Sequence, residues 1–437
     1  MQHSKIINAI DVGSSKITTI IGQYFPEENK HNIVAVSSSP ALGFRKGQII
    51  NLEQATQTIT NSIESAERMA GFQIKSAIVS IAADHIESIN SQGVVAISDQ
   101  SGEINNQDIE RVIEAAKAIS IPNNKEIIHV IPRKFTVDGQ EGILDPLGMS
   151  GVRLELESHL ILASSPAIKN IEKCFDEIGV KISSLIYSGL SAAKLALTDT
   201  EKELGVALID MGGSVTTLTI FNEGSPSYSK VIPIGANNVT NDLAIGLRFS
   251  IDDAEKIKIK LNKICKNQKF EDEVDTSDFE LNSGQGQKIS IQTSVAGIIK
   301  PRLEEIFEII DTEIENSGLR TAIPAGIVLT GGGALTINAP EICSNTIPLP
   351  VRIAVPKKIG GLVDNILNPA YTSSIGLLMY ELENNQPVQK TKKRMVAGRL
   401  VQNKRFESAD GVFCNADMKN RHIRPVSYTH LTLPTKA

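Results

Sequence analysis

Asp11-Val12-Gly13-Ser14-Ser15-Lys16 follows the apolar run Ile6–Ile10, and Asp210-Met211-Gly212-Gly213-Ser214-Val215-Thr216-Thr217 follows Val206–Ile209. Each stretch reads as a strand, a tight turn and a second strand. A single apolar strand ending in Asp-x-Gly is an ordinary hairpin, because Asp and Gly are favoured turn residues. Here two such turns lie about half a chain apart. A third glycine turn, Leu329-Thr330-Gly331-Gly332-Gly333, follows another apolar strand. Three turns in that order point to a duplicated fold with a site between its halves.

The residue types say what the site takes. Glycine lets backbone N–H groups reach phosphate oxygens with no Cβ in the way, and consecutive amides form an anion-binding concavity. Ser14 and Ser15 add hydroxyl donors, and Lys16 adds a compact positive charge for the β- and γ-phosphates. Gly212, Gly213, Ser214 and Thr216 supply the second loop, and Gly331, Gly332 and Gly333 a turn on which a base can lie. Asp11 and Asp210 carry the wrong sign to touch phosphate, but they suit a Mg²⁺ held through its retained waters. The reading is ATP with Mg²⁺ in a cleft between two related lobes, the plan of the actin-like ATPases. No G-x-x-x-x-G-K-[ST] string occurs, so this is not a Walker loop.

Composition agrees. The 437 residues give room for two to four domains, and 41% hydrophobic with 22% charged residues is ordinary globular usage. Tryptophan is absent and aromatics make up 4%, which argues against a base-stacking surface and hence against nucleic acid as a partner. Cys174, Cys265, Cys343 and Cys414 have neither metal-ligand nor disulfide-framework spacing, so they read as small apolar residues of a reduced, cytosolic chain. No signal peptide or membrane-length apolar run is present, the longest apolar stretches being strand-sized. Charge is uneven: residues 383–425 hold ten Lys or Arg against four acids, while the whole chain carries −6. A basic arm behind an acidic body suits an anionic surface such as the inner face of a membrane, or simply solvent.

Leu52, Ala55, Ile59, Ile63, Ala66 and Ala70 recur at helical spacing, with Gly71 placed to end the helix. Ile78–Ile81 reads as the next strand, and alternation of this sort predicts a largely parallel, doubly covered sheet in each half. Residues 85–160 read as an inserted unit. Its helix starts near Asn105 with Asp108 at N3 and carries Ile109, Val112, Ile113, Ala116 and Ile119 on one face. Strands at Ile127–Ile131 and Val152–Leu162 flank the Gly/Pro-rich stretch Gly139–Gly151.

In that stretch, Val137-Asp138-Gly139-Gln140-Glu141-Gly142-Ile143, continuing Asp145-Pro146-Leu147-Gly148-Met149-Ser150-Gly151-Val152-Arg153-Leu154-Glu155, resembles the inserted domain of the bacterial cell-division FtsA family. The helix Glu110–Lys117, the string Gly235–Ala244 and Leu204–Ala207 are similar to the same family. The resemblance covers about residues 4–382.

It implies an α/β fold of actin-like (ribonuclease H-like) duplicated lobes around an ATP cleft, with a small α+β domain inserted in the first lobe. The matching boundaries are 1–84 with 161–195 for the first lobe and 85–160 for the insert. The second lobe is 196–235 with 315–382, its small subdomain 236–314, and 383–425 is a basic linker. The resemblance also implies ATP binding, polymerisation, and tethering of filaments of the tubulin-like FtsZ to the cytoplasmic membrane at the division site. FtsZ would be met by residues 236–314, and later division proteins by the insert. Glu255 and Lys258, three apart on a helix, resemble the pair that holds adenine and ribose in this superfamily; on spacing alone they are a solvated salt bridge.

Two departures from the family carry expectations. FtsA chains usually run D-x-G-G-G-T-x-D at the second loop, where this chain has Ser214, Val215 and Thr217; binding should survive, while hydrolysis should be weak or absent. The family also ends in an amphipathic membrane helix. Here Val426–Thr435 reads as a translated sequencing adapter instead, and 426–437 as artefactual. The alternatives are a pilus-assembly scaffold of the PilM kind and a sugar-kinase-type enzyme of the same superfamily.

Overall fold

Strand Lys5–Val12 runs antiparallel to Lys16–Phe25, which runs antiparallel to Lys30–Pro40. On the other side of Lys5–Val12, strands Ser76–Ile81 and Lys181–Tyr187 add in parallel. The structure, a computed structural model, describes residues 4–26, 30–99, 101–265, 273–279, 281–282, 286, 288–354, 356, 360–361 and 366–384. All of these belong to one unit spanning residues 1–385. Most of the basic linker, with the 426–437 segment, lies outside the described residues.

The second lobe repeats the plan strand for strand. Ser225–Ile232, Thr216–Asn222 and Val206–Met211 are antiparallel neighbours, and Ile327–Thr330 and Val351–Ile353 continue in parallel. The register repeats as well. Asp11 pairs with Thr18 and Ser80, and Asp210 pairs with Thr217 and Thr330. The expected largely parallel sheets are therefore corrected to mixed ones. Tight turns join three antiparallel strands in each lobe, and only the parallel additions need long crossovers.

Helix Leu52–Ala70 is N-capped by Asn51, which accepts from the Gln54 amide, and ends at Gly71 in left-handed backbone. It buries Ala55, Ile59, Ile63 and Ala66 on the first sheet. Thr19 meets Ser62 of this helix at 2.8 Å, whereas Gly22 lies under Leu378 of helix Thr372–Asn384. An odd spacing along one strand puts the two helices on opposite faces. Residues 360–361 and 372–384, grouped with the second lobe on sequence, thus belong physically to the first. Gly360–Gly361 pairs with Asn32 and Ile33, and Ile375, Leu377 and Leu378 join the first lobe's core. Their apolar side chains fill the space that Gly22 leaves open.

The insert is a four-stranded antiparallel sheet ordered Glu87–Ala96, Arg153–Ser164, Lys125–Val137, Gln140–Ile143, with helix Asn106–Lys117 against it. Strand Lys125–Val137 outruns the expected Ile127–Ile131, because register shifts against Arg153–Ser164 at Glu157/Ser158 and Ile161/Leu162 break the alternation that a period-two reading follows, while Arg153–Ser164 nearly matches the expected Val152–Leu162. Ile104, Val112, Phe135, Val137, Leu154 and Leu156 form its core.

Asn105 and Asp108 close a capping box, and the Asp108 carboxylate also accepts from the Ser98 hydroxyl at 2.8 Å and from Arg111. Burial alone would raise this acid, but the Ser98, Arg111 and Asn105 donors outweigh it and hold it at about 2. The folded state's preference for the ionised form is complete above the ordinary value of 3.8 and fades as pH falls toward 2. Asp108→Ala leaves buried donors unmatched and is expected to cost about 2–3 kcal/mol in chemical denaturation at pH 7. That deficit should shrink below about pH 3.

The insert lies along edge strand Ser225–Ile232 of the second lobe. Ser229 N donates to Ser88 Oγ at 2.8 Å, Asn90 Nδ2 to Ser227 O at 3.0 Å, and Arg133 to Ser227 Oγ at 2.8 Å. His159 bridges the two parts, with Nδ1 2.7 Å from Asn90 Oδ1 and Nε2 3.0 Å from Ser229 Oγ. Burial, with Arg133 and His129 nearby, holds its imidazole down at about 3, so it stays neutral at physiological pH.

The small subdomain packs helices Ala236–Leu247, Ile251–Cys265 and Lys300–Asn316. The last of these buries Leu303, Ile306, Phe307 and Ile310, the stripe its sequence predicts. Cys174 and Cys343 are buried and free. Among the described residues no helix is long and apolar enough to cross a membrane.

Candidate functional site

The two Asp-Gly turns are built alike. Gly13 N donates to Lys16 O at 3.2 Å and Gly212 N to Val215 O at 2.9 Å. A Cβ on either glycine would lie 2.7 or 2.8 Å from that same carbonyl oxygen, closer than side chains come. Both turns thus need glycine for the same reason. They also face one another: Ser214 N donates to Ser14 Oγ at 3.0 Å, and a Cβ on Gly213 would press on Ser15 at 2.6 Å. Asn237 N donates to Gly213 O at 2.8 Å, and Asn237 Nδ2 to Ser214 Oγ at 3.3 Å. Thr216 Oγ1 donates to Ile234 O at 2.8 Å and so ties the turn's far strand down.

Both aspartates end their strands at this gap. Ser80 Oγ donates to Asp11 Oδ1 at 2.5 Å and Ser374 Oγ to Asp11 Oδ2 at 2.6 Å, so the carboxylate is gripped from two elements. Asp210 stands half-buried at the end of its strand. Burial raises its carboxyl to about 7, the Asp11 charge adds to the rise, and Lys16 opposes it. Burial lowers Lys16 despite Tyr371, Asp11 and Asp210. Two acids and one ammonium thus share a poorly solvated gap lined by a backbone N–H and hydroxyls, a donor set that suits a polyphosphate with a hydrated divalent cation.

The third turn meets the second loop. Gly331 has φ +84, and a Cβ there would collide with Asp210 Oδ1 and Met211 O; one on Gly333 would collide with Met211. Gly332 has open space, its nearest neighbour being Ala370 Cβ at 3.7 Å. Glu255 and Lys258 do pair, at 2.7 Å on helix Ile251–Cys265. Only one half of the pair is solvated: the Glu255 side chain is 42% exposed, whereas Lys258 is 7% exposed and donates to Thr240 Oγ1 at 2.8 Å, and that hydroxyl also bonds Glu255 Oε2. Thr240 belongs to the helix that starts beside Gly213.

The structure therefore gathers Asp11, Gly13–Lys16, Asp210–Ser214 and Gly331–Gly333 in one cleft. Glu255 and Lys258 sit on the helix layer behind the second loop. Sequence reasoning missed Ser80, Asn237, Tyr371 and Ser374. Asn237 stood in a noted string; the others had no local signal.

The chain matches two family models, "SHS2 domain inserted in FTSA" over residues 83–162 and "Cell division protein FtsA" over residues 207–376. It is 39% identical over 383 residues to cell division protein FtsA of Pseudomonas aeruginosa, covering 88% of this chain and 91% of that one. With the Bacillus subtilis protein of the same name it shares 36% over 386 residues, 88% and 85% of the two chains. In structure it is similar to a chain of the PilM-PilN type IV pilus biogenesis complex, with TM-score 0.61 and 14% identity over 87% of this chain and 99% of that one. It also resembles MreB 5 of Spiroplasma citri bound to AMPPNP, with TM-score 0.52 and 15% identity over 90% and 99%. At such identities the structural likenesses establish the actin-like fold alone.

Proposed function

Because this chain belongs to the cell division protein FtsA family, we propose that it binds Mg-ATP between its lobes, polymerises, and tethers FtsZ filaments to the cytoplasmic membrane at the division site. The observation that carries this reading is the SHS2-type insert seated in a duplicated actin-like body whose two Asp-Gly loops face each other across 3.0 Å. In it, the Ser214 amide and Ser14 hydroxyl turn from each other to phosphate oxygens, and Lys16 meets the β- and γ-phosphates. Asp11, steadied by Ser80 and Ser374, and Asp210 hold the hydrated Mg²⁺. The metal would supply charge neutralisation at the phosphates, and it would draw the Asp210 carboxyl to its ionised form.

FtsZ docks on the small subdomain at 236–314 and later division proteins on the insert. The protein works as a peripheral protein on the cytoplasmic side of the membrane. The test is co-sedimentation of the chain with FtsZ filaments in Mg-ATP: FtsZ-dependent pelleting is expected, and its absence from folded, nucleotide-bound protein would sink the tether.

Turnover is expected to be slow. Thr217 stands buried across the ladder from Asp210, in the place of the family's acid. A threonine hydroxyl is a poor general base at neutral pH. Phosphate release should stay below about one per second, the low end of enzyme turnover. A faster steady state would refute the assignment of Thr217.

A further inference from the structure

Tyr371 and Ser374 stand some 360 residues from the first loop, yet both touch it. Lys16 Nζ lies 3.4 Å from the centroid of the Tyr371 ring, and Ser374 holds Asp11. On the other lobe, Pro369 O accepts from Gly331 N at 3.1 Å and from Thr330 Oγ1 at 3.4 Å. Residues Asn368–Ser374 therefore form a strap with one end on the glycine turn of the second lobe and the other on the phosphate loop of the first.

Resting on the nucleotide reading above, we infer that Tyr371 is a positioning residue for that site: its ring holds the Lys16 ammonium aimed at the gap where the β- and γ-phosphates bind. Among the described residues Lys16 makes no ion pair, although Asp11 and Asp210 are its electrostatic neighbours. A flexible four-carbon stem freed from the ring would fold onto one of these acids. There it would neutralise a carboxylate meant for the metal and be lost to the phosphates. The ring has the right strength for a resting place. A partly desolvated cation–π contact contributes about 0.5–2 kcal/mol, less than the charge-assisted bonds a phosphate offers, so the ammonium is held without being trapped. Adenosine, which lacks phosphates, should be indifferent to the ring.

Titration calorimetry on the full chain, its Tyr371→Phe and Tyr371→Leu variants, and each in a Lys16→Met background tests this with ATP, ADP and adenosine in Mg²⁺. Tyr371→Leu is expected to weaken ATP and ADP by more than about twofold and by up to about 30-fold. Tyr371→Phe, which keeps a ring, should stay within about twofold. Adenosine should be unmoved throughout, and Tyr371→Leu should have no further effect once Lys16 is gone. Unchanged ATP affinity in Tyr371→Leu would overturn the inference. So would equal losses for adenosine, which mean a collapsed pocket, or a Phe variant as weak as Leu, which means a hydroxyl role. A parent chain that binds neither ATP nor ADP would instead overturn the nucleotide reading beneath it.

Discussion

Gly331→Ala is expected to lower unfolding free energy by about 3 kcal/mol and to remove measurable ATP binding. Backbone with φ 84 and ψ 168 is open essentially to glycine alone and costs another residue about 1–3 kcal/mol, and forcing a methyl into a filled site typically adds about 1–3. Here the residue has φ +84, and the methyl would strike the Asp210 carboxylate and the Met211 carbonyl. Met211 O is backbone and cannot yield cheaply. Because domains carry only about 5–15 kcal/mol of stability, the variant should fold yet melt early. Gly332→Ala is the control. Its methyl would meet only Ala370 Cβ at 3.7 Å, an ordinary contact, so the change should stay within about 0.5 kcal/mol. Chemical denaturation of the pair separates a demand of the turn from a general intolerance of the segment.

Lys16→Met should separate binding from folding in the opposite sense. The side chain is half-buried, and that burial already disfavours its charge. A methionine of similar length keeps the packing on Tyr371 and removes that burden, so the nucleotide-free chain should melt no earlier than the parent. ATP and ADP should nevertheless bind about 10- to 150-fold more weakly, because a charge-assisted bond to phosphate contributes about 1.5–3 kcal/mol. Equal ATP affinity in the two proteins would mean that the first loop does not meet the phosphates. Melting curves with and without Mg-ATP report both quantities at once, since ligand stabilisation follows affinity directly.

The parts of the site legible in sequence are those made within one turn of chain. Asp11 to Lys16 and Asp210 to Thr216 announce themselves because a hairpin and the amides of its turn are built by neighbouring residues. Ser80 and Ser374 escape because each reaches Asp11 from 69 and 363 residues away, brought there by a parallel strand and by a returning helix. Strand direction escapes for a related reason: an apolar run reads the same whether its neighbour is parallel or antiparallel. The lobe assignment of helix Thr372–Asn384 escapes too, since chain order says nothing about which sheet a helix covers. Lys258 was legible as a partner of Glu255 but not as buried, because the hydroxyl that draws it inward lies on another helix.

Strand Ser225–Ile232 ends the second lobe's sheet, and an uncapped sheet edge is a template on which another chain can add a strand. The Ser88, Asn90, Arg133 and His159 contacts occupy that rim with a folded domain of the same molecule. If the chain polymerises as proposed, copies joining out of order would compete with the ordered stack. The insert thus guards the lobe against indiscriminate strand-to-strand adhesion, and trimming it away would leave a body both incomplete and sticky.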